Sequence, residues 1–173
     1  MARLVTISGC SGGGKSSLLA ELARRGFRVV EEPGRRVVAA GRDLPWVDMA
    51  GFARSALRLA VADYRALSGR GPVFLDRGIV DAALALAHAG GGYGGFAVAR
   101  RLRGHRTVFL TPPWRAIYRQ DAARRHGFDD ALAEYGRLRR GYAMLGYRVE
   151  DLPRISISGR ADWLLSRLAA RHS

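Results

Sequence analysis

The sequence has no asparagine, a single lysine and a single cysteine. Each scarcity excludes something. Without asparagine there can be no Asn-Lys-x-Asp element for reading guanine, so a GTPase switch is not expected. Cys10 alone cannot close an internal disulfide, and His88, His105, His126 and His172 are scattered, so the ligand clusters of a zinc site are missing. No apolar run approaches the roughly 18 residues that span a bilayer. The opening MARLVTISG enters an apolar strand pattern directly and lacks the features of a signal peptide, which makes the cytoplasm the expected location.

Charge is in excess: 29 basic against 15 acidic residues, a formal +14. Such a balance suggests nucleic acid. Yet 28 of the 29 are arginine, and a chain rich in Ala, Gly and Arg with almost no Lys or Asn reflects GC-rich coding. Nucleic acid is therefore not the expected partner; a small anionic or phosphorylated ligand fits better. The lone lysine, Lys15, sits where phosphate chemistry wants a compact ammonium on a flexible stem.

The 173 residues suit one domain spanning 1–173. Short apolar strands are expected at 3–8, 27–31, 72–75, 105–110 and 147–152. Helical spacing is read at 17–25, 34–40, 47–68, 79–89, 96–103, 114–126, 129–145 and 160–171, with GGGYGG at 90–95 a flexible joint. Alternating strands and helices imply an α/β fold, a parallel sheet with helices on both faces.

Gly9 to Ser16, GCSGGGKS, fits G-x-x-x-x-G-K-[ST] with a strand before it and a helix after it. This is the P-loop pattern for ATP with Mg²⁺. The backbone N–H groups of Gly9, Ser11, Gly12, Gly13 and Gly14 would turn toward phosphate oxygens, aided by the helix N-terminus, with Ser17 next along the helix. Lys15 would reach the β- and γ-phosphates and the Ser16 hydroxyl would bind Mg²⁺. Cys10 reads as a tolerated loop residue, although a thiol there would make the protein sensitive to alkylation.

Phosphoryl transfer also wants a carboxylate near the metal at a neighbouring strand end, and VFLD supplies Asp76. At the second strand end stand Glu31, Glu32 and Pro33; such a carboxylate faces the ligand-binding edge and could take a proton from an acceptor hydroxyl. Glu32 is preferred because the following proline fixes its turn.

FRVVEEP followed by VFLDRGIVD resembles deoxynucleoside kinases. The order ISGxxGxGKS, Glu-Pro, Asp-Arg-Gly and YRQDAAR, through to LPRISISGRADWLL, resembles more closely the small AAA-type P-loop domains related to nicotinamide riboside kinases. The resemblance covers almost the whole chain. It implies a three-layer P-loop NTPase fold with five parallel strands in spatial order 2-3-1-4-5. It makes Glu32 the base and Asp76 a metal or substrate carboxylate, and has Arg77 bind anionic substrate or steady the transition state. Gly78 departs from the serine usual in deoxynucleoside kinases, and residues 34–70, which would set the acceptor, match no specific kinase.

WRAIYRQDAARRH, residues 114–126, resembles the arginine-rich lid of nucleoside and nucleotide kinases. Among Arg115, Arg119, Arg124 and Arg125, Arg119 and Arg124 are the favoured catalytic phosphate contacts, with Arg115 and Arg119 at i, i+4 beside the nucleotide. Trp46, Trp114 and Trp163 read as packing residues rather than base-stacking ones, and Pro153 to Ser158 lies where related folds hold adenine by backbone groups. WVDMAG contains Asp48-x-x-Gly51 without a preceding strand and is read as coincidence. The expected activity is transfer of the ATP γ-phosphoryl group to a hydroxyl of a nucleoside-like or riboside-like acceptor. The alternative is a partner-regulated ATPase; a hexameric AAA motor has no room for its usual helical subdomain, and oligomeric state is not legible.

Overall fold

The computed structural model describes residues 3–10, 12–41, 43–117 and 127–170. Strand β1 (Arg3–Gly9) leads through the glycine-rich loop into helix α1 (Lys15–Arg24), then β2 (Arg28–Val30), α2 (Pro33–Ala39) and α3 (Met49–Ala66). There follow β3 (Pro72–Asp76), α4 (Ile79–His88), α5 (Gly94–Arg101), β4 (Thr107–Thr111), α6 (Phe128–Met144), β5 (Arg148–Asp151) and α7 (Ile157–Ala169). All strand pairs are parallel, in the order β2-β3-β1-β4-β5. Arg3 pairs with Pro72 and Ile7 with Asp76, while Ile7 also faces Phe109 across the other edge of β1.

The sheet is covered on both faces, which is why its central strands are mostly apolar, with Ser8 and Thr111 buried among them. Side chains alternate between two cores as the strand period of two requires. Val5, Ile7, Phe74 and Phe109 face α1 and α7, where they meet Leu18, Leu22 and Leu164. Val108 and Leu110 face the other way, against Val80 on α4 and Leu138 and Tyr142 on α6. A smaller cluster of Val37, Ala56 and Ala82 locks α2 and α3 onto α4.

Every expected strand forms, each shifted by at most two residues at an end. Helix α3 starts at Met49 because Asp48 caps it, its side chain accepting the N–H of Gly51 at 2.9 Å. The Asp-x-x-Gly of WVDMAG is thus a helix cap. The glycine stretch at 90–95 is not wholly a joint: Gly94 and Gly95 open α5. Gly95 is buried, and a Cβ there would stand 2.9 Å from that of Ala83, so this glycine serves close packing of α5 on α4. Residues 115–117 form a turn rather than the start of a helix, and the remainder of the expected lid, 118–126, lies outside the described residues. Among the described residues no helix is long and apolar enough to cross a membrane.

Candidate active site

The loop between β1 and α1 is shaped by what its glycines permit. Gly14 takes φ 79 as the N-cap of α1, a left-handed conformation most residues avoid. Gly9 has φ 125 and lies so close to Thr111 that a Cβ would collide with its carbonyl and hydroxyl oxygens. Gly13 also abuts Thr111, with a would-be Cβ 2.6 Å from its Oγ1. The end of β4 therefore forms the floor of the loop. Thr111 is itself anchored, donating Oγ1 to the Ser8 carbonyl at 3.2 Å.

Lys15 is buried, and its ammonium donates to the carbonyls of Gly9 at 3.1 Å and Cys10 at 2.9 Å. Burial lowers its pKa most and nearby Arg77 lowers it further, while Asp76, Glu32 and Glu134 oppose the fall. Cys10 is fully buried and burial raises its thiol pKa, the opposite of an activated cysteine and a correction to the expected alkylation sensitivity. Ser16 and Ser17 are both exposed on the first turn of α1. Ser11 lies outside the described residues.

Two strand ends place the carboxylates. Asp76 closes β3 beside β1 and is only 6% exposed; its Oδ1 is buried with no hydrogen-bond partner. Burial raises its pKa, an effect that Lys15 partly offsets. Among the described residues no three His, Cys, Asp or Glu side chains cluster as a self-sufficient metal site. An unpartnered aspartate oxygen and an exposed serine hydroxyl at the head of a phosphate loop are nevertheless a donor set that suits Mg²⁺, which keeps waters and takes further ligands from phosphate. The residues present fit that ion.

Glu32 is the N-cap of α2, and Pro33 fills the first helical position, where a missing N–H costs nothing. Its carboxylate lies between two guanidiniums: Arg35 Nε is 3.3 Å from Oε2 and Arg77 Nε 3.4 Å from Oε1. Arg35 also donates from Nη2 to the Ser16 hydroxyl at 3.3 Å. One side chain thus joins the Glu32 carboxylate to the Ser16 hydroxyl. Sequence reasoning missed Arg35; its position three residues after Glu32 on a helix was the available signal.

Arg77 stands in the left-handed region at φ 62, which costs an arginine about 1–2 kcal/mol. Its surroundings determine the conformation. Its N–H donates to the Ile7 carbonyl at 3.0 Å, and Nη2 pairs with Glu134 of α6 at 2.8 Å. Burial alone would lower its pKa, but Glu134, Glu32 and Asp81 together outweigh burial and raise it. Beneath this turn Asp81 is buried; it accepts from Ser8 Oγ, from the Gly78 N–H at 2.8 Å and from Tyr142 Oη at 2.5 Å. Glu134 carried no motif signature, and Asp81, the last residue of VFLDRGIVD, had no assigned role; packing brings both here.

Of the lid arginines, Arg119 and Arg124 lie outside the described residues. Arg115 is exposed, with its guanidinium 5.2 Å from the Phe128 ring centroid. Trp163 meets Phe109 edge-on and Trp46 is 72% exposed, in keeping with packing and surface roles. Trp114 lies under Arg160, the guanidinium 4.7 Å from its ring centroid.

A family profile described as an AAA domain matches residues 4–160, and the chain belongs to that family. Comparison with curated proteins finds no match. Among solved structures, shikimate kinase from Aquifex aeolicus superposes with TM-score 0.60 at 11% identity, over 98% of each chain. The NadR protein in complex with NR gives TM-score 0.71 at 18% identity, over 96% of this chain and 50% of that one. Deoxyadenosine kinase from M. mycoides, bound to its products, gives TM-score 0.61 at 14% identity, over 96% and 98%. The fold is that of small P-loop kinases, five parallel strands in the order expected.

Proposed function

We propose that this protein is a small-molecule kinase that transfers the γ-phosphoryl group of ATP to a hydroxyl of a nucleoside-like or riboside-like acceptor. The observation that carries the reading is the Ser16–Arg35–Glu32 bridge, which sets a candidate base beside a phosphate loop at the carboxyl edge of the sheet. A hydrolase that activates only water needs no carboxylate on the α2 side. The similar structures include a shikimate kinase and a deoxyadenosine kinase, and small hydroxylated acceptors accord with them.

In this reading the N–H groups of Gly12, Gly13 and Gly14, with Ser11, cradle the phosphates, and Lys15 gives up its loop carbonyls for phosphate oxygens. Ser16 and Asp76 would hold Mg²⁺, which when bound would neutralise charge on the phosphates. Glu32 accepts the proton of the acceptor hydroxyl. Arg77, pinned by Glu134, keeps Glu32 turned toward the site, and Arg119 and Arg124 supply further cations from the lid, with Arg115 and Ser17 on the nucleotide side. Next to Glu32 a crevice bordered by Glu31, Asp63, Tyr64 and Arg77 has free space of about 30 Å³, room for a water or two.

The test is ADP release from ATP·Mg²⁺ with pooled nucleosides, ribosides, shikimate-like polyols and short oligonucleotides. Acceleration by one pool supports the kinase and gives the acceptor class. A slow rate that no pool changes would overturn it in favour of a partner-regulated ATPase.

A further inference from the structure

Arg160 lies in the first turn of α7, far along the chain from the phosphate loop, yet it is 4% exposed and its Nη1 donates to the Gly13 carbonyl at 3.1 Å. One face of the guanidinium covers Trp114. Its Nε is buried without a partner. Among the described residues no carboxylate pairs with it, and burial is the one influence on its pKa, which it lowers. An isolated buried cation is costly. Lys15, the other buried cation of the loop, has Asp76 and Glu32 nearby to offset its charge; Arg160 has a carbonyl and a ring.

Two features tie this cation to the loop. A Cβ on Gly14 would stand 2.9 Å from Nη1, so glycine at 14 also admits the guanidinium. The peptide between Gly13 and Gly14 is planar and trans, so its C=O and N–H point in opposite directions. Drawing the Gly13 carbonyl toward α7 turns the Gly14 N–H away from α7.

We propose that Arg160 is a positioning residue for polyphosphate: it orients the Gly13–Gly14 peptide so that the Gly14 N–H faces the cradle, and the bound phosphates supply the counter-charge that the chain withholds. The inference rests on the phosphate-binding reading of Gly9 to Ser16. The guanidinium contacts the loop, not the ligand, and its effect reaches the phosphates through one peptide plane and through charge.

The experiment measures binding of inorganic tripolyphosphate·Mg²⁺ and of ATP·Mg²⁺ by titration calorimetry, alongside thermal unfolding of the free protein. In R160M both affinities fall by ~10–100-fold, while the free protein unfolds no earlier than wild type, since an uncompensated cation has been removed. R160K, which keeps the charge, lies between. A purely structural arginine predicts the reverse, a lower Tm with affinity intact. The proposal is overturned if R160M binds both probes within about 3-fold of wild type, or if R160K is as weak as R160M. Should R160M not fold, R160Q removes the charge at similar length and carries the same expectation and the same refutation. Failure of the wild type to bind either probe would remove the phosphate-binding reading itself, and this inference with it.

Discussion

Glu32→Gln separates the chemistry from everything else at this site. The substitution keeps the size and the turn before Pro33 but removes the charge that accepts a proton in the proposed mechanism. Its stability cost follows from the contacts. The two ion pairs, at 3.3 and 3.4 Å, join partners between about a fifth and a half exposed, so each contributes only about 0.2–1 kcal/mol. Arg77 keeps its 2.8 Å pair with Glu134, so no buried cation is orphaned. The total, about 1 kcal/mol, lowers Tm by about 2–4 °C for a domain of this size. The loss of a positioned base is far larger, about 10²–10⁴-fold in kcat, or ~2.7–5.4 kcal/mol in the barrier. ATP affinity, set by the loop and Lys15, stays within about 3-fold. Steady-state kinetics with the acceptor found in the screen, together with ATP titration, give both numbers. Equal losses of kcat and ATP affinity, or a kcat within 10-fold of wild type, would refute Glu32 as base and leave it a structural cap.

Lys15→Ala is expected to abolish the stabilisation by ATP·Mg²⁺, which for wild type at a hundred times Kd amounts to ~2.7 kcal/mol; an undiminished thermal shift would contradict the phosphate loop. Asp76→Asn should raise the Tm of the free protein at neutral pH while removing Mg²⁺-dependent nucleotide binding. Burial raises the Asp76 pKa in the folded state, so the ionised side chain disfavours folding above that pKa, and the advantage of Asn should shrink as pH falls toward about 4. A lower Tm for the Asn variant at pH 7 would show that Asp76 is stabilising. Cys10, fully buried with its thiol pKa pushed up by burial, should react with iodoacetamide far more slowly than free glutathione at pH 8; matching rates would contradict its placement.

The motif residues were legible in the sequence because their requirements are local. Gly9 to Ser16 need only a strand before and a helix after, and glycines that permit positive φ. Asp76 and Glu32 were singled out because a carboxylate that ends an apolar strand lies at the ligand edge of any parallel sheet. The strand order came from family resemblance, and pairing confirms it; periodicity along the chain says nothing about which strands are neighbours. Tertiary structure alone decided the second layer. Arg35 reaches Ser16, Glu134 reaches Arg77 and Arg160 reaches Gly13 only because α2, α6 and α7 dock at particular rotations on the sheet. In a chain with 28 arginines, composition could not single out Arg160, which among the described residues is buried and has no carboxylate beside it. That depends on what the fold packs around each guanidinium, and burial is a property of the assembled core rather than of any segment.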